Sequence, residues 1–442
     1  MSSLPQHSSS AAGAESTRAS ESPAPDSLAE LLLPHVVPMP VLHGRYGALM
    51  ELVRTLIGVV PNCDRYLEIW PPAFRTYNLV VPNLMNLPAA VFGLGGAPKA
   101  QVGLSMLMAS RAADCPYCTA HTCSFALRRG ATPETIAAAL RGPGALSPPE
   151  AAVVAVATAL GRVPCELTRD ERAALEAHFP RAQAEWIAMG AVAMGFLNKF
   201  MDATGVELEA STVAEVTTTL GAEWSPGRAG WGLAITDDVP PPGADTLASK
   251  ARILRYLPSA LLLDVRWQRG VPKRWPAVGR YLKQHTGHDF SVLGRVLNQR
   301  CVRAIAAVLR LNLDPAICVL PLDEKILVGA IFAEVIADTA LAADVAALGL
   351  HHGIPDSRLA WARRFAAGED ITPDGMANTT SAVFHLARAA APTPALITPD
   401  VVERCRKAAL PPQAIVELVC WLAVLQMFHR LTAYCLAAPD QA

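Results

Sequence analysis

Cys115, Cys118, His121 and Cys123 fall within nine residues of the segment ADCPYCTAHTCSF, Ala113 to Phe125. A cluster of this kind serves a redox dithiol, a metal site or a structural cysteine pair. The spacing favours the dithiol. With Asp114 as N-cap and Pro116 in the first turn, Cys115 and Cys118 stand at the start of a helix that runs to about Arg129 and stops at Gly130. Free N–H groups and aligned peptide dipoles at that end stabilise a thiolate, which is how a Cys-x-x-Cys pair becomes nucleophilic. His121, three residues beyond Cys118, is placed to pass a proton, and Arg111 can add positive potential. Zinc is a poorer fit, because four donors on one helix fan out at about 100° per residue and cannot converge on one ion. No second Cys-x-x-Cys or His-x-x-x-His completes a metal set. Cys123 points away from Cys118 and reads as core.

The elements that must position this cluster are helical, so the expected fold class is all-α. Residues 45–60, 99–113 and 181–203 carry apolar positions at helical spacing, and runs of alternating β-branched residues are rare. Helix starts are marked by TPET at 132–135, SPPE at 147–150 and TRDE at 168–171. The 442-residue chain is 52% apolar and 17% charged, with a formal net charge of −1. That balance supports large cores and gives no bulk-charge basis for a nucleic-acid or anionic-membrane partner. The longest charge-free run, 76–98, is interrupted by Pro82 and Pro88. Other apolar runs, such as 418–428, are too short to span a bilayer. Residues 1–27 are Ser/Ala/Pro-rich without a signal-like apolar stretch, and read as a disordered tail on a cytoplasmic protein. Seven of the ten cysteines are isolated, as expected of small buried hydrophobes in a reducing compartment.

A Gly/Pro/Trp-bearing stretch at 221–246 reads as a linker between residues 28–220 and 247–442. The two parts repeat in pattern. Residues 104–130 superpose on 327–353, and 150–170 on 380–400. A tandem copy is the expectation, with Asp338, Leu341 and Asp344 where the first copy has Cys115, Cys118 and His121. The second half would then be a degenerate scaffold packed on the first as another subunit would be. His351 and His352 are read as a basic helix end rather than metal ligands, and the glycines at 92–98 follow no strand and mark no nucleotide loop.

The segment CPYCTAH with FALRRGATPETIAAAL after it, and FLNKFMDATGVELE at 196–209, resembles the alkylhydroperoxidase D / carboxymuconolactone decarboxylase superfamily over residues 45–210. The resemblance implies an all-α subunit that assembles into symmetric oligomers. It also implies a peroxidase-type dithiol: Cys118 attacks a small hydroperoxide, Cys115 resolves the product as a disulfide, and His121 moves the proton. No cofactor or metal is expected. An external dithiol, lipoyl or thioredoxin-like, would restore the thiols. Two departures stand out. The relay glutamate twelve residues before the first cysteine is Gly103 here, and the usual relay-histidine position, four residues after the second cysteine, is Thr122. Met106, Met108 and Tyr117 would suit an apolar substrate pocket, but ordinary core packing is the favoured reading of them. Two other readings stay open: a non-redox decarboxylase-like enzyme, against which the two cysteines argue, and a non-enzymatic helical scaffold.

Overall fold

The computed structural model describes residues 25–221, 245–369 and 375–438. Among the described residues all regular structure is helical, as the apolar periodicity predicts. The first half holds α1 (Leu28–Leu32), α2 (Met39–Ile57), α3 (Cys63–Leu67), α4 (Pro71–Leu84), α5 (Lys99–Ala112), α6 (Pro116–Arg128), α7 (Pro133–Arg141), α8 (Pro148–Gly161), α9 (Arg169–His178), α10 (Arg181–Thr204) and α11 (Ala210–Leu220). The second half holds α12 (Leu247–Trp267), α13 (Ala277–Thr286), α14 (Gln299–Leu313), α15 (Leu322–Val335), α16 (Thr339–His351), α17 (Asp356–Ala366), α18 (Asn378–Ala390), α19 (Pro399–Lys407) and α20 (Pro412–Leu436).

The starts read from the sequence are the observed ones. Thr132 caps α7, accepting the Thr135 N–H at 3.2 Å, while Ser147 and Thr168 form capping boxes with Glu150 and Glu171. Of the expected tail, residues 1–24 lie outside the described residues, and Ser27 caps α1. Residues 222–244 of the expected linker also lie outside them. Beyond it, Asp245 pairs with Lys99 at 3.3 Å and with the buried Arg129 at 3.2 Å, which pins the start of α12 against α5 and α6.

Helix positions recur along the chain. The starts of α15, α16 and α17 follow those of α5, α6 and α7 by 223 residues, and those of α18 and α19 follow α8 and α9 by 230. Asp114 and Ala337, 223 apart, share a left-handed φ of 48° and 53°. The long helices α10 and α20 pack along each other at the centre, α14 lies on α4, and α12 lies on α2. The approach of α10 to α20 is close enough that a Cβ on Gly195 would sit 2.7 Å from the Met427 Cα, so glycine is required there. Lys199 of α10 is fully buried and donates to the carbonyls of Ala390 and Ala391 at 2.8 and 3.0 Å, which satisfies carbonyls at the end of α18. The run 418–428 belongs to a 25-residue helix that is long and apolar enough to cross a membrane by length and composition, and its most apolar window is wholly buried within the protein. α20 is a core helix.

Candidate active site

Helix α6 begins one residue later than the sequence reading placed it. The N-cap is Cys115, with extended backbone (φ −103°, ψ 101°), and its Sγ accepts the Cys118 N–H at 3.4 Å. Asp114 instead adopts the left-handed conformation that turns the chain out of α5. Pro116 occupies the first turn, where a missing N–H leaves nothing unsatisfied. The Thr119 and Thr122 hydroxyls donate back to the Cys115 and Cys118 carbonyls at 2.8 and 2.6 Å. Thr122, at the usual relay-histidine position, is thus committed to the helix backbone.

Both sulfurs are buried: Cys115 is 1% exposed and Cys118 2%. This reverses one expectation. Burial pushes the Cys118 thiol well above its ordinary value, and the neighbouring Cys115 adds to the rise. Desolvation of a thiolate outweighs the helix N-terminus here. The opposing contribution at Cys118 is a hydrogen bond from Asn198 of α10. The Asn198 amide is held by Arg430 of α20, whose Nη1 donates to Asn198 Oδ1 at 3.1 Å and to the Ala191 carbonyl at 3.1 Å. Arg430 Nη2 donates to the Gly161 carbonyl at 2.9 Å. A guanidinium has only donors, so Asn198 must turn its oxygen to Arg430 and its NH2 toward Ser110 and the Cys118 sulfur. Burial lowers Arg430 to about 10, which leaves it a cation at neutral pH, and Cys165, followed by Cys118 and Cys115, lies close enough to oppose that shift. The second half therefore contributes a buried charge to the dithiol of the first.

His121 has a partner that the sequence did not announce. Its Nε2 lies 2.6 Å from Glu209 Oε2, and the two side chains are 12% and 9% exposed. The Tyr117 hydroxyl donates to Glu209 Oε1 at 3.0 Å, and the Asn62 N–H donates to the same oxygen. Burial pushes the Glu209 carboxyl up, but the charge and hydrogen bond of His121 and the Asn62 N–H outweigh it, so the net shift is downward. Glu209 precedes α11 as its N-cap without capping it through the side chain, which leaves the carboxylate free to face α6. It closes the stretch FLNKFMDATGVELE that carried part of the resemblance. Gly103 cannot hold the glutamate that the resemblance implies, because a Cβ there would lie 2.8 Å from the Ala126 Cα. The carboxylate beside the histidine arrives from a different segment.

Cys118, His121, Tyr117 and Cys63 open on one cavity of about 100 Å³, room for several water-sized groups. Its walls are almost wholly apolar, with Leu52, Leu56, Val81, Phe125, Met106 and Met194 among them. Met106 and Tyr117 thus do line a pocket, whereas Met108 is buried and does not. Next to Cys63, Asp64 is fully buried, and neither carboxylate oxygen has a hydrogen-bond partner. Burial, with the charges of Glu209 and Glu68, raises it to about 8.

Cys123 is wholly buried and burial raises it to about 12, so it is core. Arg111 is exposed at the end of α5. No group of three or more His, Cys, Asp or Glu side chains suited to a metal occurs among the described residues. His352 bonds the Thr286 carbonyl at 3.0 Å. In the second half, Asp338 caps α16 by accepting the Leu341 N–H at 2.9 Å, as Cys115 caps α6, and pairs with His429 at 2.6 Å. Asp344 pairs with His288 at 2.8 Å. The three positions keep their places on the helix and carry no thiol.

Comparison with known proteins gives three findings. Residues 81–152 match the carboxymuconolactone decarboxylase family. No curated protein matches the chain. Among solved structures, the apo crystal structure of the debrominase Bmp8 is similar at 18% identity, covering 42% of this chain and 96% of that one, with a TM-score of 0.37.

Proposed function

We propose that this chain, which matches the carboxymuconolactone decarboxylase family over residues 81–152, is a thiol-dependent oxidoreductase that reduces a small hydroperoxide through Cys115 and Cys118. The observation that carries this reading is the shared cavity: a thiol, a histidine hydrogen-bonded to a carboxylate, and apolar walls.

The Cys118 proton passes to His121, and Glu209 stabilises the imidazolium that results. The thiolate attacks the terminal oxygen of ROOH and the O–O bond breaks. His121 returns the proton to the departing alkoxide, which leaves as ROH, and Cys118 becomes a sulfenic acid. The Cys115 thiol then attacks that sulfur. Water departs and a Cys115–Cys118 disulfide remains. An external dithiol reduces it by exchange, taking the oxidation as its own disulfide. A resting thiol with a raised pKa suits this scheme, because the proton is then available for delivery to the leaving oxygen. Sulfurs only 1–2% exposed favour a slender reductant of the lipoyl type over the face of a thioredoxin-like protein.

We also read the second half as a tandem copy that lost its thiols and kept its packing role. The recurring helix starts and the matching caps at Cys115 and Asp338 support this.

A second reading, non-redox acid–base chemistry of the decarboxylase kind, draws support from the His121–Glu209–Tyr117 set, which needs no thiol. Hydroperoxide consumption with dithiothreitol separates the two. Loss of turnover in both Cys118→Ser and Cys115→Ser supports the dithiol cycle, and full turnover in both removes it.

A further inference from the structure

A second recess lies on the far side of α4 from the dithiol cavity. Tyr77, Asn78 and Val81 of that helix line the first cavity, and Arg75 lines the second. The recess measures about 530 Å³ and is built between the halves: Tyr46 and Arg75 come from the first, and Arg266, Trp267, Arg269 and Arg310 from the second. Four arginines therefore line one space, and the acidic residue in its wall is Asp314. None of the four forms an ion pair among the described residues.

Surface arginines commonly stand alone in water, and Arg266 and Arg269 are exposed. Arg75 is different. It is half-buried, and its Nε is shielded from solvent with no hydrogen-bond partner. The carboxylate behind it, Glu68, is already engaged by Arg45 Nη1 at 2.9 Å and by the Tyr46 hydroxyl at 3.3 Å. Arg310 spends one nitrogen on the Tyr281 hydroxyl at 2.9 Å and keeps the rest of its fork. An unsatisfied buried donor among converging like charges is unfavourable unless an acceptor with negative charge arrives.

We propose that this recess binds a small polyanion that carries phosphate groups. Guanidinium forks match phosphate oxygens in pairs, and four of them against one carboxylate leave a surplus of three positive charges for a di- or triphosphate. The half-buried Trp267 and the apolar Leu263 and Leu311 in the same wall offer a surface for a planar organic portion. The volume falls within the range of small-molecule sites, roughly 300–1,000 Å³. The second half thereby supplies three of the four arginines, a role separate from the dithiol and independent of the proposed peroxide chemistry.

The test is calorimetric titration of the full chain with inorganic pyrophosphate at fixed ionic strength, with citrate as the carboxylate control and ATP as the organic phosphate. The expected result is saturable pyrophosphate binding at least tenfold tighter than citrate. Arg75→Gln and Arg310→Gln should each weaken it at least tenfold, and Arg75→Lys should weaken it less than Arg75→Gln. Melting curves confirm that each variant is folded, and the two single substitutions on different helices give independent readings if one is not. Absence of saturable binding to the wild type, unchanged affinity in a folded glutamine variant, or citrate binding as tight as pyrophosphate overturns the proposal.

Discussion

Asp64→Asn is expected to make the protein more stable at neutral and alkaline pH and less stable in acid. The carboxyl is fully buried with no partner on either oxygen, and it is raised to about 8 by burial and by the charges of Glu209 and Glu68. In the unfolded chain it titrates at about 3.9. Between those values the native state holds a proton that the unfolded state has released, so stability is fully present below about pH 4 and falls as pH rises, levelling above 8. At pH 7 the span is about three pH units, worth about 4 kcal/mol at 1.36 kcal/mol per unit. Asparagine keeps the shape and removes the ionisation, but it brings an amide donor that also lacks a partner, worth about 1–3 kcal/mol in the other direction. The net gain is about 2 kcal/mol. With an unfolding entropy near 2.1 cal/mol/K per residue over 442 residues, this is a rise in Tm of about 2 °C. Scanning calorimetry of wild type and variant from pH 4 to 9 reads it: the variant's Tm should lie below the wild type's near pH 4, cross it as the pH rises, and lie above it at pH 7 and beyond. Parallel curves across the range would refute the buried, protonated Asp64. The proton also bears on chemistry, because a neutral Asp64 leaves Glu209 as the ionised carboxylate beside His121.

Three further outcomes follow. Glu209→Gln keeps the shape but removes the charge that stabilises the His121 imidazolium, so kcat/KM for peroxide should fall about a hundredfold with little change in melting temperature. Arg430→Met should raise the pH at which Cys118 is alkylated by iodoacetamide, and Arg430→Lys should restore part of the shift, whereas a purely structural role would move stability alone. Gly103→Glu, which installs the glutamate implied by family resemblance, should destabilise by about 3 kcal/mol or more and restore no activity, because its Cβ meets the Ala126 Cα at 2.8 Å. Denaturant melts and the peroxide assay check the last.

The helices were legible because their signals are local. Thr132, Ser147 and Thr168 each sit beside the residues they cap, and apolar periodicity fixes a helix within one stretch of chain. The dithiol was legible for the same reason. Cys115 rather than Asp114 is the N-cap because Asp114 takes the left-handed turn out of α5, a conformation that aspartate adopts more readily than most side chains. The electrostatics of the site were hidden because they are long-range. Glu209 meets His121 across 88 residues, Arg430 meets Asn198 across 232, and neither separation leaves a motif. The expected acid thiol at Cys118 failed on burial, which the sequence CPYC does not encode. Of the isolated cysteines, Cys301, Cys405, Cys420 and Cys435 are core as expected, because an apolar neighbourhood is itself local, whereas Cys165 and Cys318 are only partly buried and Cys63 lines the cavity.

The most direct measurement is hydroperoxide turnover with a small dithiol, run together with dimedone trapping and mass spectrometry on wild type, Cys115→Ser and Cys118→Ser. Turnover is expected in the wild type alone, with a dimedone adduct on Cys118 in Cys115→Ser, where the resolving thiol is missing, and no adduct at position 115 in Cys118→Ser. Equal turnover in all three proteins, or an adduct that forms on Cys115 and not on Cys118, would contradict the dithiol cycle.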